Sequence, residues 1–460
     1  MKARTLRKLL AGVGGMALLL TAAACSGSTA PSATTPGGQP SAGPTTDEAY
    51  AGTLTFWFWA EPDVPGATAW MEEAITRYEQ LHPDISIELV PQASETLQGA
   101  FETAGQSRSG PDIAMQWATL PVLTPVWRGY VEPLTGLVPE AEMANWLNTA
   151  ENTYDGKVWA MPLYLLGAPF VWNKDLFAQA GLPTDQGPQT WDELLAASEK
   201  LKAAGITPIV FGAKDGAFGG WFQGMVGTQT LDSVQELQAV YSGKAQFTEP
   251  KYSRYLELLA ELVEKGYLNS DISSIDALEG WQQFAQGQAA MTWATDGNVV
   301  EWMNSGLGSS LGVQKTPTAG DGALAQAYTA TQSISAFVTS WSEQKVQAAT
   351  FLAWLHDPEN LVSWYETTGS FPADKRFDSS LVEDGLKRDL YELNTLPLQL
   401  WAQNYAPPQV DSQGLRSVGQ ALIAGSLTPD EAAAEIQRVI EAWQTQQPAE
   451  FEAYLTWAEG

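Results

Sequence analysis

Between residues 54 and 117 the sequence switches repeatedly between strand and helix signals. Residues 54–59 (LTFWFW) form a short apolar run, as a buried strand does. Residues 67–81 carry helical spacing, and His82, Pro83 and Asp84 stop it. Ile85, Ile87 and Leu89 then alternate as a second strand. A helical stretch over 95–106 leads to GPDIAMQW at 110–117, a turn and a third strand. This order, strand and helix by turns, demands a parallel sheet with right-handed crossovers. It predicts an α/β fold with ligands held at the carboxyl ends of the strands.

The first fifty residues obey another logic. Lys2, Arg4, Arg7 and Lys8 make a positive start. The apolar stretch 9–20 that follows is shorter than the roughly 20 residues of a membrane span. Ala22, Ala23 and Ala24 precede Cys25, so residues 1–24 read as a secretory signal peptide. The placement of Cys25 resembles the bacterial lipoprotein signal, in which the cysteine becomes the lipidated first residue. Ala22 stands where that pattern more often has Leu. Residues 26–46 contain only Ser, Gly, Thr, Ala, Pro and Gln, and predict a disordered tether within 25–50. Such a coil separates its ends by roughly 25–30 Å. The expected location is the outer face of a cell membrane, held by the lipid.

Charge and cysteine content remove several classes. Against 24 Lys and Arg stand 53 Asp and Glu, a net charge of −29. A nucleic-acid binder needs the opposite sign. One cysteine cannot close an intrachain disulfide or build a Cys-rich zinc site. His82 and His356 lie far apart with no ligand spacing around either, so neither a metal nor a cofactor is expected. The length of 460 residues suits two domains. Nineteen tryptophans are unusual, and they serve either as core bulk or as platforms for flat apolar ligand faces.

Later segments carry recognisable starts and stops. Thr190 and Glu193, and again Thr428 and Glu431, have capping-box spacing. Asp357 and Pro358 open a helix that Gly369 can close. The stretch from Tyr154 contains Asp155–Gly156–Lys157, Pro162, Trp172–Asn173–Lys174–Asp175–Leu176–Phe177, Gly181–Leu182–Pro183 and Thr190–Trp191–Asp192–Glu193–Leu194. These pieces, with GPDIAMQW, FAQGQAAMTWATDG at 284–297, GSFPADK at 369–375 and GSLTPDEAAAEI at 425–436, resemble the extracellular solute-binding proteins, family 1. Those are carbohydrate-binding lipoproteins of ABC importers. Trp172 stands where the family more often has Tyr.

The resemblance implies a periplasmic-binding-protein-like fold. Two lobes, each a mixed sheet flanked by helices, are joined by three hinge crossings and close over the ligand. The crossings are expected near residues 162–164, Ala325 and 369–372. The N-terminal lobe would comprise 51–162 plus 326–372, and the C-terminal lobe 163–325 plus 373–460.

A sugar site needs aromatic platforms for C–H faces and carboxylates or amides for hydroxyls. The resemblance implies a ligand carboxylate after the first strand, where Glu61 fits, and a stacking or hydrogen-bonding side chain at Gln116 or Trp117. Trp59 ends the first strand beside them. Tyr164 follows Pro162 at the first expected crossing. Trp221 and Phe222 form an aromatic pair in a glycine-rich stretch. Asp296 and Asn298 flank Gly297, where the family often has an aromatic platform, so hydrogen bonding is expected there. Phe371 and Gln413 complete the candidates. Trp302, Trp341, Trp354, Trp364, Trp401 and Trp443 have packing positions for the most part.

The expected function is capture of a mono- or oligosaccharide for transfer to a permease, by a monomer that catalyses nothing. An exported glycoside hydrolase is the rival, and needs two carboxylates flanking a scissile bond. No Gly-x-Ser-x-Gly elbow serves a serine hydrolase. A cationic solute such as a polyamine also suits acids and aromatic faces. Iron and phosphate sites would favour basic residues or tyrosine clusters, against the sign of this chain.

Overall fold

Leu54, Phe56 and Phe58 point into a core while Thr53, Thr55 and Trp57 face outward or lie half-buried. That alternation makes Gly52–Phe58 a strand packed on one face. It is seen in a computed structural model, which describes residues 52–61, 64–383 and 385–459. Cys25, the signal peptide and the tether lie outside the described residues.

The strands are β1 (Gly52–Phe58), β2 (Ile85–Pro91), β3 (Ile113–Trp117), β4 (Val131–Glu132), β5 (Thr153–Tyr154), β6 (Lys157–Val158), β7 (Met161–Gly167), β8 (Phe170–Asn173), β9 (Thr207–Ile209), β10 (Ala289–Trp293), β11 (Leu311–Gln314) and β12 (Ala330–Thr339). β1 pairs in parallel with β2 and with β3, the arrangement that the alternation of strand and helix requires. The connecting helix Ala67–Leu81 buries Trp70, Met71, Ala74, Ile75 and Tyr78, one stripe at helical spacing. β12 runs antiparallel to β3, β4 and β7, which makes the sheet mixed. A second sheet has the order β11-β8-β10-β9, with β8 antiparallel to both its neighbours and β9 parallel to β10. The short β5–β6 hairpin turns on Asp155 and Gly156, both at positive φ. Asp-Gly is the sequence such a two-residue turn selects.

Each sheet has its own core. Leu54, Phe56, Trp70, Tyr78, Phe351 and Trp364 belong to that of the larger sheet. Phe170, Phe222, Trp281, Trp293, Ile436 and Trp443 belong to that of the smaller. The chain leaves the larger sheet after β7 and enters the smaller at β8, so this passage lies at 167–170. That is a few residues beyond 162–164, because Pro162 and Tyr164 are themselves paired with β12. The return leads into β12 at Ala330. A third connection follows helix Pro358–Thr368, whose C-cap Gly369 is left-handed at φ 69°. There Leu165 N donates to Phe371 O at 2.8 Å and Ala373 N to Leu163 O at 3.2 Å. Both predicted capping boxes form: Thr190 with Glu193 and Thr428 with Glu431 exchange side-chain and backbone hydrogen bonds.

Candidate functional site

A cavity of about 290 Å³ opens between the two sheets' elements. From the larger sheet's side come Trp117, at the carboxyl end of β3, Gln98 on helix Ser94–Ser107, Pro121, and Leu166 on β7. From the other side come Trp221, Trp281 and Trp401, with Asp215, Asp276, Gln403, Asn404, Asp411 and Arg416. Trp221 sits 5.7 Å from Trp281 and 4.9 Å from Trp401 by ring centroids, the latter edge-on at 86°. Trp281 Nε1 is fixed by the Trp293 carbonyl at 2.7 Å. Trp117 rests on Trp59 at 4.4 Å. The cavity thus has aromatic surface on both sides, rimmed by carboxylates and amides.

The polar groups are held in place from behind. Asp215 Oδ1 accepts from Ala217 N, and Asp276 Oδ1 from Glu279 N as cap of helix Ala277–Ala285, both at 2.9 Å. Asp411 accepts from Gln403 Nε2 at 2.7 Å and from Arg416 Nε at 3.1 Å. Burial pushes the Asp411 carboxyl up, and Arg416 and Gln403 only partly offset it. Asn404 Nδ2 donates to Thr331 Oγ1 on β12 at 3.0 Å, tying the cavity wall to a strand of the other sheet. Thr119, two residues beyond Trp117, holds φ 70°, costly for a β-branched residue.

Of the residues singled out in the sequence, Trp117 and Trp221 line the cavity. The others are placed elsewhere. Trp59 is fully buried behind Trp117. Glu61 is exposed and takes the N–H groups of Gly66 and Thr68 at 2.9 and 2.8 Å, so it caps helix Ala67–Leu81 instead. Burial raises its pKa, but those backbone donors outweigh it and the net direction is down. Gln116 is buried, with Oε1 unpaired among the described residues. Tyr164 is buried in the larger sheet's core and stacks on Trp364 at 5.1 Å, because its strand turns that face inward. Phe222 packs among Trp191, Phe218, Tyr255 and Trp293. Phe371 packs on Tyr365 and Tyr391. Asn298 donates to Thr295 at the start of its own helix. Asp296 is buried against Gly167, Tyr328 and Asn394. Gln413 is exposed on the π-helical segment Val410–Arg416, of which Asp411, Ser412 and Arg416 line the cavity. Among the described residues no group of His, Cys, Asp and Glu has metal-binding geometry.

A sequence profile of the bacterial extracellular solute-binding proteins matches residues 61–361. The chain belongs to this family. Among curated relatives of this solute-binding protein is the sn-glycerol-3-phosphate-binding periplasmic protein UgpB of Salmonella paratyphi A, 29% identical over 227 residues, 45% of this chain and 49% of the relative. UgpB of Escherichia coli K12 is 27% identical over 271 residues, 55% of this chain and 58% of the relative. The solute-binding protein therefore spans about half the length of the curated relatives it matches. Among solved structures, a chitin oligosaccharide binding protein superposes with TM-score 0.77 at 21% identity, over 85% of this chain and 98% of that one. A Thermotoga lettingae solute-binding protein bound with α-D-tagatose gives 0.71 at 20% identity, over 84% and 99%. At these identities the likeness is one of fold: two-lobed, mixed α/β. Among the described residues no helix is long and apolar enough to cross a membrane.

Proposed function

We propose that this chain is the receptor of an ABC importer, capturing a mono- or oligosaccharide between its lobes and presenting it to the permease. One observation carries the reading: tryptophans from both sides of the cavity, Trp117 against Trp221, Trp281 and Trp401, with amides and carboxylates between them. Sugar rings offer C–H faces to such platforms and hydroxyls to such rims. The oligosaccharide and tagatose receptors of the same fold support it. The lobes are built on the two sheets: the first runs on through β7 to about residue 167 and resumes at β12, so 163–167 belong with it and not with the second, and β7 and β12 form the common border. Closing them is a hinge motion that shifts population toward the state a permease recognises. The protein acts as a monomer without catalysis, and Cys25 carries a lipid that holds it to the outer face of the membrane.

A panel of mono- and oligosaccharides read by thermal shift, with tryptophan fluorescence as second signal, tests the receptor reading. At least one sugar stabilises the protein; no response across the panel overturns it. Turnover of an oligosaccharide in a product assay would favour the hydrolase instead. For the anchor, Cys25→Ala releases the protein from the membrane fraction; retention of the variant there removes the lipid from the account.

A further inference from the structure

The charge of the solute is also written into the cavity. Its charged lining among the described residues consists of Asp215, Asp276, Asp411 and Arg416. Arg416 is the single cation of that set, and its charge is offset at close range: its Nε donates to Asp411 Oδ2 at 3.1 Å. Asp411 is fixed in turn by Gln403 Nε2 at 2.7 Å, and Gln403 Oε1 accepts from Trp401 Nε1 at 3.3 Å. The ion pair is therefore part of a hydrogen-bonded chain that ends on a cavity tryptophan.

With Arg416 balanced by Asp411, Asp215 and Asp276 leave the cavity with an excess of negative charge. Asp276 is pinned as the cap of its helix and Asp215 by the N–H of Ala217 two residues on, so neither swings away without giving up a backbone hydrogen bond. A phosphate or carboxylate entering here would meet like charge in a partly desolvated space. Recognition of such anions calls for guanidinium groups whose charge no carboxylate offsets, or for clustered backbone N–H groups. An uncharged sugar meets acceptors for its hydroxyls, and an amine meets a favourable field.

Resting on the receptor reading above, we propose that the cleft selects glycans without anionic groups, uncharged or amine-bearing, and excludes phosphorylated solutes. Asp411 is the specificity-determining residue, because its carboxylate offsets the one cationic charge that an entering anion would meet. In this the chain departs from the relatives named for sn-glycerol 3-phosphate.

Calorimetric titration of the full chain tests this with four probes: the neutral sugar found by the panel, its amino-sugar counterpart, sn-glycerol 3-phosphate and a polyamine. The wild type is expected to bind the neutral sugar about 100-fold or more tighter than the phosphate ester. Asp411→Asn unbalances Arg416 and is expected to raise affinity for sn-glycerol 3-phosphate about tenfold, with a steeper salt dependence. A phosphate ester bound by the wild type as tightly as the sugar overturns the charge exclusion and leaves the receptor reading intact. A folded Asp411→Asn protein with unchanged phosphate affinity removes Asp411 from its role. A polyamine bound where no glycan binds sinks the glycan reading while supporting the exclusion. The wild-type arm needs no variant, so poor folding of Asp411→Asn does not shelter the proposal.

Discussion

Asp296 Oδ2 accepts the backbone N–H of Gly167 at 2.7 Å, at the point where the chain leaves the larger sheet. The same carboxylate takes Asn394 Nδ2 at 2.7 Å and the Tyr328 hydroxyl at 3.1 Å. It thereby joins the end of β7 to the segment leading back into β12 and to helix Leu386–Asn394. Burial pushes its pKa up to about 6, and the three donors only partly offset that. The folded protein thus holds an extra proton between about pH 4 and 6, and this group's contribution to stability falls as pH rises through that window. Asp296→Asn should turn an amide N–H toward existing donors and cost about 2–3 kcal/mol at pH 7. Urea unfolding from pH 4 to 7 checks it. The variant is expected to lose the wild-type decline between pH 4 and 6, and an unchanged slope assigns that decline to another group.

Glu151 makes the second pH-dependent contact. It lies in the turn Thr149–Asn152, and the Tyr405 hydroxyl hydrogen-bonds it from the segment that also supplies Gln403 and Asn404 to the cavity. The residue keeps some solvent exposure overall, whereas its Oε2 is buried without a partner among the described residues. Burial pushes its pKa up to about 8 against the pull of Tyr405. Its folded value is raised, so stability is lost as pH climbs from about 4.5 to 8 and is flat beyond. Glu151→Gln keeps the shape of the neutral acid. It should stabilise the protein on the order of 2–4 kcal/mol at pH 8 and hardly at all at pH 4. Melting temperatures across pH 4–9 decide, and an equal shift at both ends would contradict the titration.

How far the sequence carries depends on the kind of signal. Caps, turns and the parallel β1–β3 unit are local, since Thr190 needs only Glu193 and Asp155 only Gly156. The cavity is assembled from distant pieces. Trp281 lies on helix Ala277–Ala285, where it reads as one member of an apolar face. Trp401 precedes a short 3-10 turn in an irregular segment, so no period reveals its direction. Tyr164 and Phe371 do lie near the passages between sheets, but which way each ring points was set by Trp364 in one case and by Tyr365 and Tyr391 in the other. The Asp276 capping box with Glu279 was a readable signal for a fixed carboxylate at the cavity rim.

The aromatic walls yield a prediction on binding. Trp401→Ala removes the ring that meets Trp221 edge-on at 4.9 Å and should weaken sugar affinity by about tenfold or more. Trp341→Phe is the contrast, since Trp341 packs 5.7 Å from Phe101, away from the cavity. It should leave affinity unchanged in the folded protein. Fluorescence titration reads both, and equal losses would mean that stability, not contact, governs the signal.

The third connection between the sheets is secured by Asp374. Its Oδ2 lies 2.7 Å from His356 Nδ1, while His356 Nε2 lies 2.8 Å from the Pro162 carbonyl on β7, so this buried chain of contacts links residues 162, 356 and 374. Arg376 grips the same carboxylate through Nε at 3.0 Å and Nη2 at 2.7 Å, and also holds Glu142. Burial alone would raise the Asp374 pKa, but His356 and Arg376 outweigh it and bring it down to about 2. The stability it contributes is present above about pH 4 and is lost as pH falls toward 2. Asp374→Asn should cost about 3–5 kcal/mol at pH 7, because it strands buried donors. Glu142→Gln, on the more exposed arm of the same network, should cost less than about 1 kcal/mol. Urea titrations at pH 7 and pH 3 separate the two. The Asp374→Asn deficit must shrink at pH 3, where the unfolded chain takes up a proton that the folded carboxylate still refuses, and a deficit as large at pH 3 as at pH 7 would show that packing, not the carboxylate, holds this connection.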